Sequence, residues 1–268
     1  MKRSRFFYLF FLFLIFVGAY FYFVPRQKQS QLVVFCNVGE GDGILIKDNT
    51  YEVVIDAGSK GGKMVQCLQK YLSFDDKKIE KIIISHYDSD HLGGFSDIFS
   101  QYEIGEIYGL GKTTKQTETY LEWQKNIQKL GKSEQILIYG MIIKTQNAKI
   151  EVLYPFYNSD YSIVNLSDVL RLDFLGKKFL FDGDLELKSW QDLINHRLDL
   201  GADILKISHH GSKNGTNVEI LEQIRPKEVV ISVGKNKYGH PAEEIIKLLE
   251  NQLIRIHRTD KEGDIVYK

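Results

Sequence analysis

"ISHYDSDHLGGF", Ile84–Phe95, decides how this chain is read. Two imidazoles (His86, His91) and two carboxylates (Asp88, Asp90) crowd behind the apolar run Ile82-Ile83-Ile84, which reads as a buried strand. Their spacing fits neither one helix face nor one strand face. A loop at a strand end can instead wrap all four around a small centre. Imidazole mixed with carboxylate suits Zn²⁺, Mn²⁺ or Fe²⁺, and Gly93-Gly94 lets backbone pass close by.

Working outward, the other histidines fall in similar places. Phe179–Phe181 runs into "DGDLE", which puts Asp184 at a strand terminus. Ile204–Ile207 runs into "HHGS" with His209 and His210, and Val229–Val233 leads to "GKNKYGHP" with His240. Five of the seven histidines thus follow apolar strands. A carboxylate such as Asp184 can bridge two divalent transition metal ions, zinc or manganese, and make a shared water nucleophilic near neutral pH.

The rest of the pattern predicts an α/β domain. Leu32–Phe35, Ile44–Ile46 and Tyr51–Ile55 read as strands, with a hairpin turn at "KDNT", Lys47–Thr50. Helix Lys63–Leu72, strand Ile82–Ile84 and helix Thr119–Leu130, ended by Gly131, follow. A second block has strands at Ile136–Ile143, Ile150–Leu153, Val169–Phe174 and Phe179–Phe181. Helix Leu187–Asn195, strand Ile204–Ile207, helix Val218–Ile224, strand Val229–Val233 and helix Ala242–Asn251 complete it. Each half gives hairpin strands first and strand–helix alternation afterwards, so two sheets stack with helices outside: a four-layer αββα sandwich over 31–268.

Residues 1–30 read differently. Lys2, Arg3 and Arg5 precede Phe6–Val24, nineteen residues without a charge, and Pro25-Arg26-Gln27-Lys28 follows. This is the expected signature of an uncleaved single-pass transmembrane helix with a short tether, the N-terminus in the cytoplasm and the domain outside the cell. Of 35 basic side chains five lie in this segment, which leaves 30 against 35 acidic ones, a formal net charge of −5 for the domain. No global basic field recruits a polyanion; only local lysines (Lys112, Lys115, Lys213, Lys235, Lys237) are placed to do so. Cys36 and Cys67 fit neither a disulfide framework nor a zinc knuckle, and Cys36 reads as a small core residue.

The ordered motifs "FCNVGEGDGILI", "VVIDAGS", "ISHYDSDHLGG", "FLFDGDLE", "LKISHHGSKNGT", "ISVGKNKYGHP" and "IHRTDKEGDIVY" resemble the metallo-β-lactamase superfamily. Within it they resemble the hydrolase domain of ComEC-type competence proteins. The resemblance implies metals in a groove at one sheet edge, with Asp56 and Asp42 organising the site. It implies His86, Asp88 and Asp184 around one metal, and Asp90, His91 and Asp184 around the other. A histidine of "HHGS" completes the second set; His210 is favoured over His209, which strand alternation leaves open. His240 becomes a catalytic or substrate-facing histidine, and Lys206 and Ser212 candidates for touching an anionic group. Their plainer roles are a neighbour of Pro241, a solvent-facing strand lysine and a turn serine.

Residues 92–183 hold no histidine, and Asn37 and Glu40 stand where the ComEC-type pattern has aspartate and glutamine. The oxygen-rich set disfavours a β-lactamase and favours a phosphodiesterase; that the enzyme is a nuclease, with DNA as the phosphodiester, is what the resemblance alone implies. Alternatives are a hydrolase of a small phosphoester, such as a phosphocholine or cell-wall group, and a non-catalytic binding module with a retained fold.

Overall fold

A computed structural model of the chain describes residues 31–157 and 167–268, apart from 112 and 115, together with 10 and 12–16. The first strands alternate strictly. In β1 (Gln31–Phe35), Val33 and Phe35 face one way, and Leu32, Val34 and the following Cys36 the other. All are buried, so the strand is covered on both faces. β2 (Gly43–Asp48) and β3 (Tyr51–Ala57) continue as an antiparallel meander, with Asn49-Thr50 at the turn expected from "KDNT".

After β3 the sheet becomes parallel: β4 (Lys78–Ile83), β5 (Glu103–Gly109) and β6 (Glu134–Ile136) are added in turn. Parallel neighbours need crossovers. These come from α1 (Lys63–Tyr71), from the short α2 (Ser89–Leu92) and α3 (Phe95–Phe99), and from α4 (Glu118–Lys129). Met64, Val65, Cys67 and Leu68 give α1 one buried stripe. α4 is capped by Thr117, whose hydroxyl accepts from the Tyr120 N–H, and it buries Tyr120 and Trp123.

The second half repeats the plan. β7 (Ile142–Lys144), β8 (Lys149–Tyr154), β9 (Val169–Phe174) and β10 (Lys177–Phe181) are antiparallel. β11 (Ile204–Lys206), β12 (Glu228–Ile231) and β13 (Arg255–Arg258) then run parallel. Their crossovers contain α5 (Leu187–Asn195), α6 (Val218–Ile224) and α7 (Glu243–Asn251). A final strand, β14 (Ile265–Tyr267), returns to the first sheet beside β1. The two seven-stranded sheets pack face to face over Phe35, Ile46, Ile55, Val152, Leu172 and Phe179. Residues of the opposite faces, such as Val34, Val54 and Leu205, pack with Leu68, Phe95, Trp190 and Leu249 of the helices. This is the expected αββα sandwich.

Three expectations need correction. Ile136–Ile143 is not one strand: Gly140, at φ 84°, breaks it, and the chain leaves the first sheet after β6 to begin the second at β7. β5, β13 and β14 were not expected as strands. The cysteines, read as unpaired, form a disulfide, Cys36–Cys67, with Cα atoms 6.0 Å apart. One strand face and one helix stripe bring together residues 31 positions apart, which spacing alone does not reveal. The expected span Phe6–Val24 lies mostly outside the described residues; 10 and 12–16 are helical. Among the described residues no helix is long and apolar enough to cross a membrane.

The disulfide clamps the end of β1 to α1 just ahead of the loop 37–42. Cross-linking over 31 positions lowers unfolded-chain entropy by an amount equivalent to about 3–4 kcal/mol. Replacing both cysteines by serine is expected to lower the thermal midpoint by roughly 10 °C, read by circular dichroism. An unchanged midpoint would show that the clamp carries no stability.

Candidate metal centre

Every expected ligand sits just past the C-terminal end of a strand, where an open α/β sheet leaves a crevice. His86 follows β4. Asp88 stands just ahead of α2, and Asp90 and His91 ride in its single turn, so the expected loop closes partly into helix. Asp184 follows β10, and His209 and His210 follow β11. The approach of these segments is close. A Cβ on Gly41, whose φ is 106°, would lie 1.8 Å from the Asp90 carbonyl oxygen, and one on Gly94 would lie 2.1 Å from that of Ala57.

Asp184 lies at the middle, 4% exposed. Its Oδ1 is 3.3 Å from His91 Nε2 and 3.6 Å from His210 Nε2, and the latter is 3.3 Å from Asp90 Oδ2. Its Oδ2 is 3.7 Å from His86 Nε2 and 3.6 Å from His209 Nε2. Asp88 Oδ2 stands 3.9 Å from His86 Nε2. The two oxygens of one carboxylate therefore face two different histidine sets. Both members of the 209–210 pair turn inward, one to each oxygen. Strand alternation fails there because His209 and His210 are left-handed, at φ 49° and 54°.

The residue types fit metal ions. His86 Nε2, His91 Nε2, His210 Nε2 and Asp184 Oδ1 are buried without a hydrogen-bond partner, a costly arrangement unless something binds them. His86, His91 and Asp184 form one ligand-competent group, and Asp90, His91 and His210 another. Ligands about 2.1 Å from a shared ion at tetrahedral angles stand about 3.4 Å apart, close to the separations around Asp184 Oδ1.

Behind the ligands sits a layer that fixes them. Asp56, at φ 55°, accepts from the Ser85 N–H at 2.8 Å and the Ser85 hydroxyl at 2.6 Å, and meets His91 Nδ1 at 2.8 Å. His210 Nδ1 meets the Ser232 carbonyl at 2.9 Å and Asp42 Oδ1 at 3.5 Å. Such partners orient a ligating ring.

Lys206, expected to face an anionic group, is instead 1% exposed. Its ammonium pairs closely with Asp42 and donates to the Gly183 carbonyl at 2.7 Å. Ser212 is also buried and accepts from the Asn214 N–H, which leaves it a turn residue. His240 is half-buried, its ring 5.6 Å from that of His209. Lys112 and Lys115 lie outside the described residues. Asp182 and Asp168 went unnoticed in the sequence. Both are buried beside the centre, and Asp182, which meets the Ser208 hydroxyl, is pushed up to about 8 by burial. "DGD" was the available signal for Asp182; nothing in the sequence marked Asp168.

The electrostatics follow from this packing. Burial, with the charge of His91, pushes His86 down to about 4, so its ring is neutral at pH 7. Burial acts the same way on His210, but Asp184, Asp42 and Asp90 outweigh it and lift that ring to about 10; His91 is likewise raised. Burial raises Asp42, yet Lys206 and His91 outweigh it and hold the carboxyl down at about 2.

Residues 37–156 match the family model of the metallo-beta-lactamase superfamily. The chain carries a metallo-β-lactamase-superfamily domain. It is 30% identical to ComE operon protein 3 of Bacillus subtilis over 200 residues, 72% of this chain and 25% of that protein. It is 28% identical to Recombination protein 2 of Haemophilus influenzae over 252 residues, 91% of this chain and 29% of that protein. The chain thus spans less than a third of the length of either relative. The metallo-β-lactamase fold protein YhfI of Bacillus subtilis shares the fold, with a TM-score of 0.59 at 13% identity, over 89% of this chain and 99% of that one. The chain is also 25% identical to Competence protein ComA of Neisseria gonorrhoeae over 246 residues, 91% of this chain and 33% of that protein, so this superfamily domain, of a kind that is typically a metal-dependent hydrolase, is related to a competence protein.

Two outcomes follow for purified protein. Asp184→Asn is expected to lower the metal content at both sets, whereas Lys206→Met weakens binding roughly 10–100-fold, both read by elemental analysis and calorimetry. Full metal content in Asp184→Asn would show that this carboxylate bridges nothing. The second outcome concerns pH. His210 is raised from 6.5 to about 10, so in metal-free protein it stabilises the fold below pH 6.5, and that contribution is lost as pH rises through about 10. Metal requires the unprotonated ring, so loading at pH 7 is expected to release protons and to tighten as pH rises. Calorimetry in buffers of different ionisation enthalpy checks this; no proton release would contradict it.

Proposed function

We propose that this chain is a two-metal phosphodiesterase that cuts nucleic acid outside the cell and is held at the membrane by Phe6–Val24. The observation that carries the reading is the buried Asp184 carboxylate, whose two oxygens face two histidine sets with unpartnered nitrogens. When bound there, two divalent ions supply Lewis acidity and an acidified water as nucleophile. The donor set of imidazoles and carboxylates suits zinc or manganese.

The chain's own residues have separate tasks in this reading. His86, His91 and His210 offer ring nitrogens, while Asp56, Ser85 and the Ser232 carbonyl hold the second nitrogen of each in place. Asp88, Asp90 and His209, the more exposed members, line the open side where a phosphodiester enters. His240 stands beside His209 and is placed to protonate the leaving oxygen. Among phosphodiesters, the names of the relatives, which speak of competence and recombination, favour DNA. The Cys36–Cys67 disulfide favours an oxidising compartment and so the outer side of the membrane.

Mn²⁺-loaded protein is expected to hydrolyse bis(p-nitrophenyl) phosphate and single-stranded DNA, the latter falling steeply with salt, and His86→Ala is expected to abolish both. Robust nitrocefin turnover without phosphodiesterase activity would refute the reading. The topology has its own test: protease added to intact spheroplasts should remove the domain, and protection alongside an internal control would place it in the cytoplasm.

A further inference from the structure

The segment 234–240, "GKNKYGH", holds a side chain that the chemistry above leaves unused. Tyr238 is 63% exposed. A solitary exposed aromatic on a surface needs no explanation. Three observations set this one apart.

The first is its line of neighbours. The Tyr238 ring stacks on that of His240, with centroids 5.9 Å apart and planes 22° from parallel. The His240 ring in turn lies 5.6 Å from His209, whose Nε2 is 3.6 Å from Asp184 Oδ2. An aromatic row therefore runs from solvent to the centre.

The second observation is that the loop is built to hold this row. The Asn236 amide donates to the carbonyls of Gly234 at 2.9 Å and His240 at 2.8 Å. Its oxygen accepts from the N–H groups of Tyr238 and His240, each at 3.0 Å. One side chain thus fixes both ends of the segment and both aromatic residues.

The third is charge. In a domain whose formal net is −5, Lys235 and Lys237 are both exposed on this loop, and Lys237 Nζ lies 5.3 Å from the Tyr238 centroid. An exposed, rigidly held aromatic flanked by cations suits a planar, apolar-faced group joined to a phosphate.

We propose that the outer face of Tyr238 is a stacking platform for an unpaired base of a single-stranded nucleic acid whose phosphodiester lies at the Asp184 centre, with Lys235 and Lys237 against the neighbouring phosphates. The inference rests on the phosphodiesterase reading and adds its substrate form. A base inside a duplex is already stacked on both faces and cannot be offered to the ring, so the platform selects unpaired strands. The face of every base is available, so selection among bases is weak.

The test is fluorescence anisotropy with the full chain, Mn²⁺-loaded, and labelled oligonucleotides carrying slowly cleaved phosphorothioate links. One strand is an oligodeoxyadenylate, one an abasic strand of equal length, one the corresponding duplex, and one an oligoriboadenylate. Wild-type protein is expected to bind the base-containing single strand about tenfold more tightly than the abasic strand or the duplex. In Tyr238→Ala this preference collapses, while Tyr238→Trp keeps it. Collapse with either sugar supports the platform, and comparison of the two base-containing strands tells which sugar the groove takes. Equal wild-type affinity for base-containing and abasic strands, or a preference intact in Tyr238→Ala, overturns the proposal. Wild-type hydrolysis of bis(p-nitrophenyl) phosphate, measured on the same preparation, separates failure of the platform from failure of the phosphodiesterase reading.

Discussion

Burying several carboxylates within a few ångströms of one another is the constraint around which this domain is organised. Asp42, Asp56 and Asp184 are all nearly inaccessible to water. Unpaired, such charges would cost several kcal/mol each. They are tolerated because Lys206, His91 and His210 are buried among them, and because Ser85 donates two hydrogen bonds to Asp56. No single strand could provide this arrangement. Asp42 and Asp56 come from the first sheet and its loops, whereas Asp184, Lys206 and His210 come from the second. The Lys206–Asp42 pair therefore fastens one half of the sandwich to the other at the floor of the centre.

The repetition of antiparallel meander followed by parallel strands explains why the centre lies at that seam. In each half the parallel strands end on the same rim, and their ends carry the chemistry. The layers between are plain: Val, Ile and Phe alternate between an inter-sheet core and a helix-facing core. Three departures from that regularity stand at the rim. Asp56, His209 and His210 all occupy the left-handed region without being glycine, and each points a polar group at Asp184 or at its neighbours.

Much of this was legible in the chain because strand ends followed by His or Asp are local patterns. The meander, the crossovers and the residues from His86 to His91 could be read from runs of apolar residues and the breaks between them. What escaped depends on distance in sequence. Cys36 and Cys67 look unrelated until a strand face and a helix stripe bring them together. Lys206 looks like a surface lysine because its partner, Asp42, is in a loop of the other sheet. The choice between His209 and His210 could not be made by alternation, since neither residue is in a strand. β6 and β7 merged into one apolar run because an isolated Gly140 gives only a weak break, and the change of sheet leaves no local mark.

The return of β14 to the first sheet bears on how the domain is assembled. Asp264, just before that strand, accepts from the Asn37 N–H across 227 positions and also meets Lys70 and Tyr71 of α1. Closing so long a loop adds only modestly to the entropy already lost, because that cost grows with the logarithm of length. Its effect is on timing, since contacts of such separation form slowly. During synthesis, β1 must wait with one edge unpaired until residues 265–267 have emerged. That edge, flanked by Val33, Val34 and Phe35, is the kind that another strand can capture. The last strand is thus a late clasp, and the interval before it closes is when this domain is most exposed to aggregation.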